Sequence, residues 1–541
     1  MKTKARIEFG DFQTPLPLAQ QVCDRLHAEG IAADVIIEPT CGCGTFLVAA
    51  AGSFPNARLY GWDINPKYVK ETTAALKQVG AGKRSTVVCQ DFFVHDWELE
   101  LGAKRGNLLI LGNLPWVTNS AVSSMNGSNL PAKENFLGLR GLAARTGKSN
   151  FDISEWMLIR LVRAVRGREA TVAMLCKTAT ARKLLRYAWQ NDGRIAQAAL
   201  FCIDAMQHFG ASVDACLLLA RIGSAGPAAA DVFESLSATK PSIRMGLAGQ
   251  DLVADIVAHH RMKHLEGLCP FQWRSGVKHD CASVMELRPA NGGHFENKLG
   301  EMVELEPQNV FPLLKCTDLA NGHTTPERFV VVTQRRMGDD TAVMANTVPC
   351  TWRYLQSHRE KFEARGSSIY KGRMPFALFG IGDYAFAPWK VAVSGLHRDP
   401  SFRVIGSFKG KPVLMDDTCY YLPFEQESQA RLVAGVLNSG PCRQFLQSLI
   451  FPGVKRSVTV DLLQRLNLSA IAEEAGLGKQ WHALERTDYK TPQLTPQLQL
   501  MMETANQAAQ STSLKQISTR YRRGDKDVAQ VPAKVKLQMP K

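Results

Sequence analysis

Residues 35–50 read VIIEPTCGCGTFLVAA. An apolar run ends in Glu38, glycines follow at 42 and 44, and a further apolar stretch comes after them. The order strand, glycine turn, helix predicts a ligand held against backbone amides at a helix N-terminus. A turn without side chains is what lets it come that close. A dinucleotide fingerprint would need a third glycine at position 47, and Leu47 stands there, which counts against a nicotinamide cofactor.

The surrounding sequence supports the same strand-and-helix order. Short apolar runs, among them ADVIIE, RLYGWD, STVVCQ, NLLILG, ATVAMLCK, AQAALF and ACLLLARI, alternate with amphipathic stretches such as PLPLAQQVCDRLHAEG and SEWMLIRLVRAVRG over the first 220 residues. Such alternation predicts a mostly parallel sheet covered by helices on both faces. Asp63, in LYGWDINP, ends the next strand about 20 residues on, where a carboxylate can accept both hydroxyls of a ribose. Asp91 and Phe92, in VVCQDFF, offer a carboxylate for an adenine amine beside a ring for stacking. A fourth strand, LLILGNLPW, ends in the box Asn113-Leu114-Pro115-Trp116.

Composition narrows the partners. The chain has 541 residues, enough for two or three domains, with 45% apolar and 21% charged residues, as in ordinary globular proteins. Its formal net charge of +15 points to a polyanion, nucleic acid before membrane. No apolar run approaches the roughly 20 residues that span a bilayer, and the start MKTKARIEFGDFQTP has no apolar core of a secretory signal. A cytoplasmic protein is the expectation. Thirteen cysteines without a Cys-x-x-Cys pair read as reduced thiols, and the isolated His259-His260 and His279-Asp280-Cys281 predict no metal site.

Taken in order, FGDFQTP, EPTCGCGTF, GWDINP, QDFF and GNLPW resemble the motifs of class I S-adenosylmethionine-dependent methyltransferases. Within these the chain looks like the gamma-class N6-adenine DNA methyltransferases of type II and type IIG restriction–modification systems. The resemblance covers about residues 9–220, with further similarity at 350–465. It implies a Rossmann-like, doubly wound, seven-stranded sheet followed by a mixed α+β target recognition domain. It also implies S-adenosylmethionine contacts at Thr14, Glu38, Gly42, Gly44, Asp63, Asp91 and Phe92.

The same resemblance gives the box its chemistry. The N6 lone pair of adenine is delocalised into the ring, so two acceptors on the amine hydrogens must hold the nitrogen near tetrahedral geometry. The Asn113 side-chain oxygen is one acceptor, and in the family the other is the carbonyl of the second box residue. Leu114 has that carbonyl as proline would, so the departure from Asn-Pro-Pro-aromatic removes a φ restraint and no hydrogen-bonding atom. A base inside a duplex must be flipped out to reach such a site. Trp116 and Phe209, in DAMQHFGASVDACLLL, are the expected stacking pair.

The organisation read from the sequence is a methyltransferase domain at 1–240, a helical connector at 241–265, a target recognition domain at 266–505 and a basic flexible tail at 506–541. The segment WRYLQSHREKFEARGSSIYKGRMPFALFGIGDYAFAPWKVAVSGL mixes cations with aromatic residues, and Arg373 and Lys390 are the expected DNA contacts. With FGDFQTP already at residue 9, a cleaving endonuclease or other defence-system subunit is expected on a separate chain. Rival readings are an RNA adenine methyltransferase, a protein glutamine methyltransferase, and a non-catalytic DNA-binding subunit of a defence complex. The basic second half of some 275 residues argues against the first two. Retention of Glu38, Asp63, Asp91 and Asn113 argues against the third.

Overall fold

The computed structural model describes residues 13–116, 152–191 and 194–486. The expected basic tail, the last residues of the expected recognition domain and the FGDF of the first motif lie outside these residues.

Strand β1 (Val35–Glu38) is buried at every position and lies between β2 (Arg58–Asp63) and β4 (Leu108–Asn113), parallel to both. Parallel β3 (Ser85–Cys89) continues the sheet beyond β2, and parallel β5 (Ala170–Lys177) continues it beyond β4. Antiparallel β7 (Ala215–Ile222) sits between β5 and β6 (Ile195–Ile203). The strand order 6-7-5-4-1-2-3 therefore reverses direction between β4 and β1. At such a switch point the carboxyl ends of the strands open a crevice, and ligands bind there. Apolar clusters cover both faces, one including Trp62, Trp97 and Trp156, the other Phe46, Leu109 and Phe201. That double cover is why these strands read as continuous apolar runs.

The sheet runs on past seven strands to ten. β8 (Ala229–Phe233) pairs parallel with β6, and β9 (Ile243–Ala248) and β10 (Asp251–Val253) follow as antiparallel neighbours. This corrects the expectation of a helical connector at 241–265. Only Ile256–Arg261 forms an α-helix there, followed by a single 3-10 turn at Lys263–Leu265. A boundary at 240 would fall between two paired strands of one sheet.

The second half combines two sheets with helices. A four-stranded sheet has the order β11 (Arg274–Ser275), β20 (Cys419–Phe424), β17 (Trp389–Ser394), β18 (Arg403–Ile405). A six-stranded sheet has the order β14 (Met302–Val303), β13 (Phe295–Asn297), β12 (Glu286–Pro289), β16 (Arg328–Val331), β15 (Val310–Leu314), β19 (Leu414–Met415). Helices Glu427–Leu437 and Gly440–Leu449 bury their apolar faces against the first of these. The two halves are joined by packed backbone. The amides of Ala254 and Asp255 both donate to the Ser448 carbonyl at 2.9 Å, and Arg182 donates to the Pro452 carbonyl at 3.2 Å while lying over the Phe451 ring. Gly453, at φ +73°, lies so close to the Asp214 carboxylate that a Cβ there would collide with it.

All thirteen cysteines are free, nine of them buried. Among the described residues no helix is long and apolar enough to cross a membrane, and no group of three His, Cys, Asp or Glu is placed to hold a metal.

Candidate active site

The glycine turn closes on β2 through one carboxylate. Gly42 and Gly44 take φ values of +50° and +76°, which favour glycine, and Gly44 leads into helix Thr45–Ser53. The Gly42 amide donates to Asp63 Oδ2 and the Asn65 amide to Asp63 Oδ1, both at 2.8 Å. The turn is braced from outside as well. Thr72 Oγ1 donates to the Gly42 carbonyl at 2.8 Å, and the Cys43 amide donates to Gln13 Oε1 at 3.0 Å. A Cβ at Gly42 would sit 2.5 Å from that Gln13 oxygen, and one at Gly44 would collide with Thr72. Side chains of the protein itself thus stand close against both glycines, where a Cβ would have to be.

Glu38 lies at the end of β1 with 3% exposure. Burial pushes its carboxyl well above the usual carboxylate range, the Leu47 amide works against this, and the Asp63 charge adds to it. Among the described residues Glu38 Oε2 has no hydrogen-bond partner. Gly112, at φ +154°, keeps β4 close, since a Cβ there would lie 3.2 Å from Glu38 Cγ. A buried acceptor beside a glycine turn suits a ligand that carries an ammonium group and a ribose. Asp91 Oδ1 accepts from the Phe93 amide at 2.8 Å, and Phe92 is 5% exposed, its ring packed 4.8 Å from that of Trp97.

The box follows β4 directly. Thr40, inside the turn, donates to the Asn113 carbonyl at 3.4 Å, and Asn113 Nδ2 donates to Thr14 Oγ1 at 3.4 Å. The structure thus brings Thr14, Glu38, Gly42, Asp63 and Asn113 to one end of the sheet. Leu114 is 1% exposed, in the same apolar cluster as Ile153 and Trp156. Its side chain is a core residue, which is the packing reason for leucine where the family pattern has proline. Pro115 is half-buried. Trp116 and Phe209 do meet, edge to face, with centroids 5.0 Å apart at 70°. A base sandwiched between parallel faces of the two would require them to part.

Sequence reasoning missed Gln13, Thr40, Asp152 and Lys177. Only Lys177 carried a signal, as a cation ending the apolar strand ATVAMLCK beside the strand that ends in Asn113. One expected DNA contact is corrected. Lys390 is 1% exposed as the second residue of β17, and its Nζ donates to the Ala387 carbonyl at 2.7 Å. Burial pulls its pKa down to about 7, and it cannot meet a phosphate from there. Arg373 is exposed on a turn. A separate cleft of about 750 Å³ lies where the halves join, lined by Asp255, Arg261, Arg398 and Asp399 among others, and contains none of the expected site residues.

No family model matches the chain. It is 42% identical over 477 residues to the Type II methyltransferase M.NspV of Nostoc sp. (strain ATCC 29411 / PCC 7524), a match covering 87% of this chain and 98% of that protein. It is 32% identical over 108 residues, 20% of each chain, to the Type II methyltransferase M.XamI of Xanthomonas campestris pv. amaranthicola. Among solved structures, the Type IIL restriction-modification enzyme MmeI in complex with DNA superposes with a TM-score of 0.55 at 13% identity, covering 92% of this chain and 74% of that one. The last likeness is one of fold.

Proposed function

The chain belongs to the type II methyltransferases of restriction–modification systems and uses S-adenosylmethionine, and on that premise we propose that it methylates N6 of a flipped adenine at a defined site in double-stranded DNA. The observation that carries this reading is the hydrogen bond from Thr40 to the Asn113 carbonyl, which ties the ligand-holding turn to the amine-holding box. Glu38, Gly42, Gly44 and Asp63 would hold the cofactor, Asp63 on the ribose, with Asp91 and Phe92 at its adenine. When bound, S-adenosylmethionine supplies an electrophilic methyl group.

The chain's own residues do the rest by positioning, since no covalent enzyme intermediate is needed. The Asn113 side-chain oxygen and the Leu114 carbonyl accept the two amine hydrogens and turn the nitrogen lone pair toward the methyl group. The amine then sheds a proton once the new N–C bond has formed. Trp116 and Phe209 hold the ring of the flipped base. The net charge of +15 supports a polyanionic substrate, and the second half, with exposed Arg373, is the reader of sequence.

Single-molecule sequencing of DNA from cells expressing the chain tests this. N6-methyladenine confined to one sequence motif supports it. Methylated cytosine, or methylation of RNA alone, overturns it. A separate endonuclease that cuts the same motif is the expected partner, and co-purification or a cleavage assay with neighbouring gene products checks that part.

A further inference from the structure

Lys177 ends β5, whose neighbour β4 ends in Asn113, with Leu175 and Asn113 in register. Its Nζ donates to the Trp116 carbonyl at 3.2 Å and to Asp152 Oδ2 at 2.6 Å. Asp152 is itself fixed as the N-cap of helix Ile153–Ala164, its Oδ1 accepting from the Ser154 amide at 3.1 Å and from Ser154 Oγ at 2.5 Å. The ion pair is largely out of solvent, with the two side chains 21% and 10% exposed. Trp116 and Asp152 are the described residues on either side of 117–151, and Lys177 ties both to β5.

We propose that Lys177 is a positioning residue for methyl transfer, which fixes the Asn113–Trp116 box through the Trp116 carbonyl and is held in place by Asp152. The inference rests on reading 113–116 as the amine-holding box. Its physical content is geometric and electrostatic. The box leaves the sheet at Asn113, so beyond that residue the β4–β5 ladder no longer sets the path of its backbone. The Leu114 carbonyl must face the target amine, so the box is anchored two residues later, at a carbonyl that the reaction does not use. The Asp152 carboxylate cancels the ammonium charge, so the brace adds no net positive charge beside a cationic cofactor and an amine that becomes cationic as the bond forms. Ser154 on the other carboxylate oxygen prevents Asp152 from turning away.

The test compares Lys177→Met, Lys177→Arg, Asp152→Asn and Asn113→Ala in the full-length chain. The readouts are kcat, KM for DNA, S-adenosylmethionine affinity by calorimetry, and fluorescence of 2-aminopurine at the target position. A misplaced reacting group costs up to roughly a hundredfold. Lys177→Met is expected to lower kcat by about tenfold to a hundredfold, with cofactor affinity and KM within about threefold. The fluorescence of the flipped base should change, and Lys177→Arg should restore part of kcat. Asp152→Asn should resemble Lys177→Met, and it decides the matter if Lys177→Met does not fold. Turnover of the folded variants within twofold of the parent, with Asn113→Ala inactive, overturns the inference and leaves the box reading standing. An active Asn113→Ala sinks the box reading itself. Equal losses in cofactor affinity, KM and kcat, with no rescue by arginine, would reduce Lys177 to a folding contact.

Discussion

Asn113 Nδ2 donates to Thr14 Oγ1 at 3.4 Å, which turns the amide so that its carbonyl oxygen faces away from Thr14. Thr14 is 8% exposed and directly precedes Pro15, the N-cap of helix Leu16–Ala28. On the proposed reading, the residue expected to touch the cofactor therefore also sets which atom of Asn113 is offered to the target amine. Thr14→Val, which keeps the shape and removes the acceptor, should lower kcat by about threefold to tenfold, the scale of one neutral hydrogen bond of 0.5–1.5 kcal/mol. Thr14→Ser should keep it. Asn113→Ala should fall much further, by analogy with loss of an oxyanion-hole donor at about 2.7–4 kcal/mol, while cofactor and DNA binding persist. Steady-state kinetics with calorimetry of cofactor binding separates these outcomes.

Asp63→Ala should weaken S-adenosylmethionine binding by roughly 1.5–3 kcal/mol as the ribose hydroxyls lose a charged acceptor. The structure adds a second consequence, because Asp63 also receives the amides of Gly42 and Asn65. Asp63→Asn, which retains acceptor capacity at one oxygen, should fall between the parent and alanine. An unchanged dissociation constant in Asp63→Ala would place the cofactor elsewhere.

Leu114→Pro should keep methylation, since the carbonyl remains, and should lower Tm, since a leucine 1% exposed in the core gives up part of its packing. The expected loss is about 1–3 kcal/mol. A stable but inactive Leu114→Pro would mean that the amide N–H or the loop path at 114, not the carbonyl, is what the reaction needs.

Lys390 gives the stability curve a pH signature. Its folded pKa is pulled from 10.5 to about 7 by burial, so between those values the unfolded chain binds the extra proton. Stability from this group therefore rises as pH increases from about 7 toward 10.5, and is lowest where the buried amine must carry charge. Across that window the change is on the order of 3–5 kcal/mol. Lys390→Met should remove this slope, so that it raises Tm more at pH 6 than at pH 9. Calorimetric scans at the two values provide the check.

Arg373 is the remaining expected DNA contact on the surface. If it meets a phosphate, Arg373→Ala should weaken binding to all sequences and reduce the salt slope by about 1. If it meets a base edge, the substitution should relax specificity at one position. Binding isotherms at several salt concentrations and a methylation map distinguish the two. No change in either removes the residue from the interface.

The first seven strands and the crevice were legible because most of these strands are buried apolar runs, four of them ending in a polar or charged residue, Glu38, Asp63, Asn113 and Lys177. β8 to β10 were not. AADVF, IRMGLA and DLV are short and half-buried, and successive pairing outward from β6 (β8 on β6, β9 on β8, β10 on β9) rather than local pattern makes them strands. Among the residues gathered at the end of the sheet, Glu38, Asp63 and Asn113 are marked by motif order and Lys177 by its place at the end of an apolar strand, whereas Thr40 and Asp152 make contacts between distant segments that no spacing encodes. Lys390 misled because a lysine is almost never fully buried, so a basic residue among aromatics reads as surface. Leu114 looked like a flaw in a motif because its burial is invisible without the helix at Ile153–Ala164.

The continuous ten-stranded sheet bears on how specificity in this family can be recombined. A natural or engineered chimera that exchanges the second half, proposed above to read DNA, must cross over beyond Val253, since a crossover at 240 would graft β9 from one parent onto β8 of another. Even beyond Val253, the donor must supply a carbonyl for the amides of Ala254 and Asp255, a loop for Arg182, and a glycine at the position of Gly453. Second halves should therefore be interchangeable only among relatives that share this seam, however different the DNA sites proposed for them.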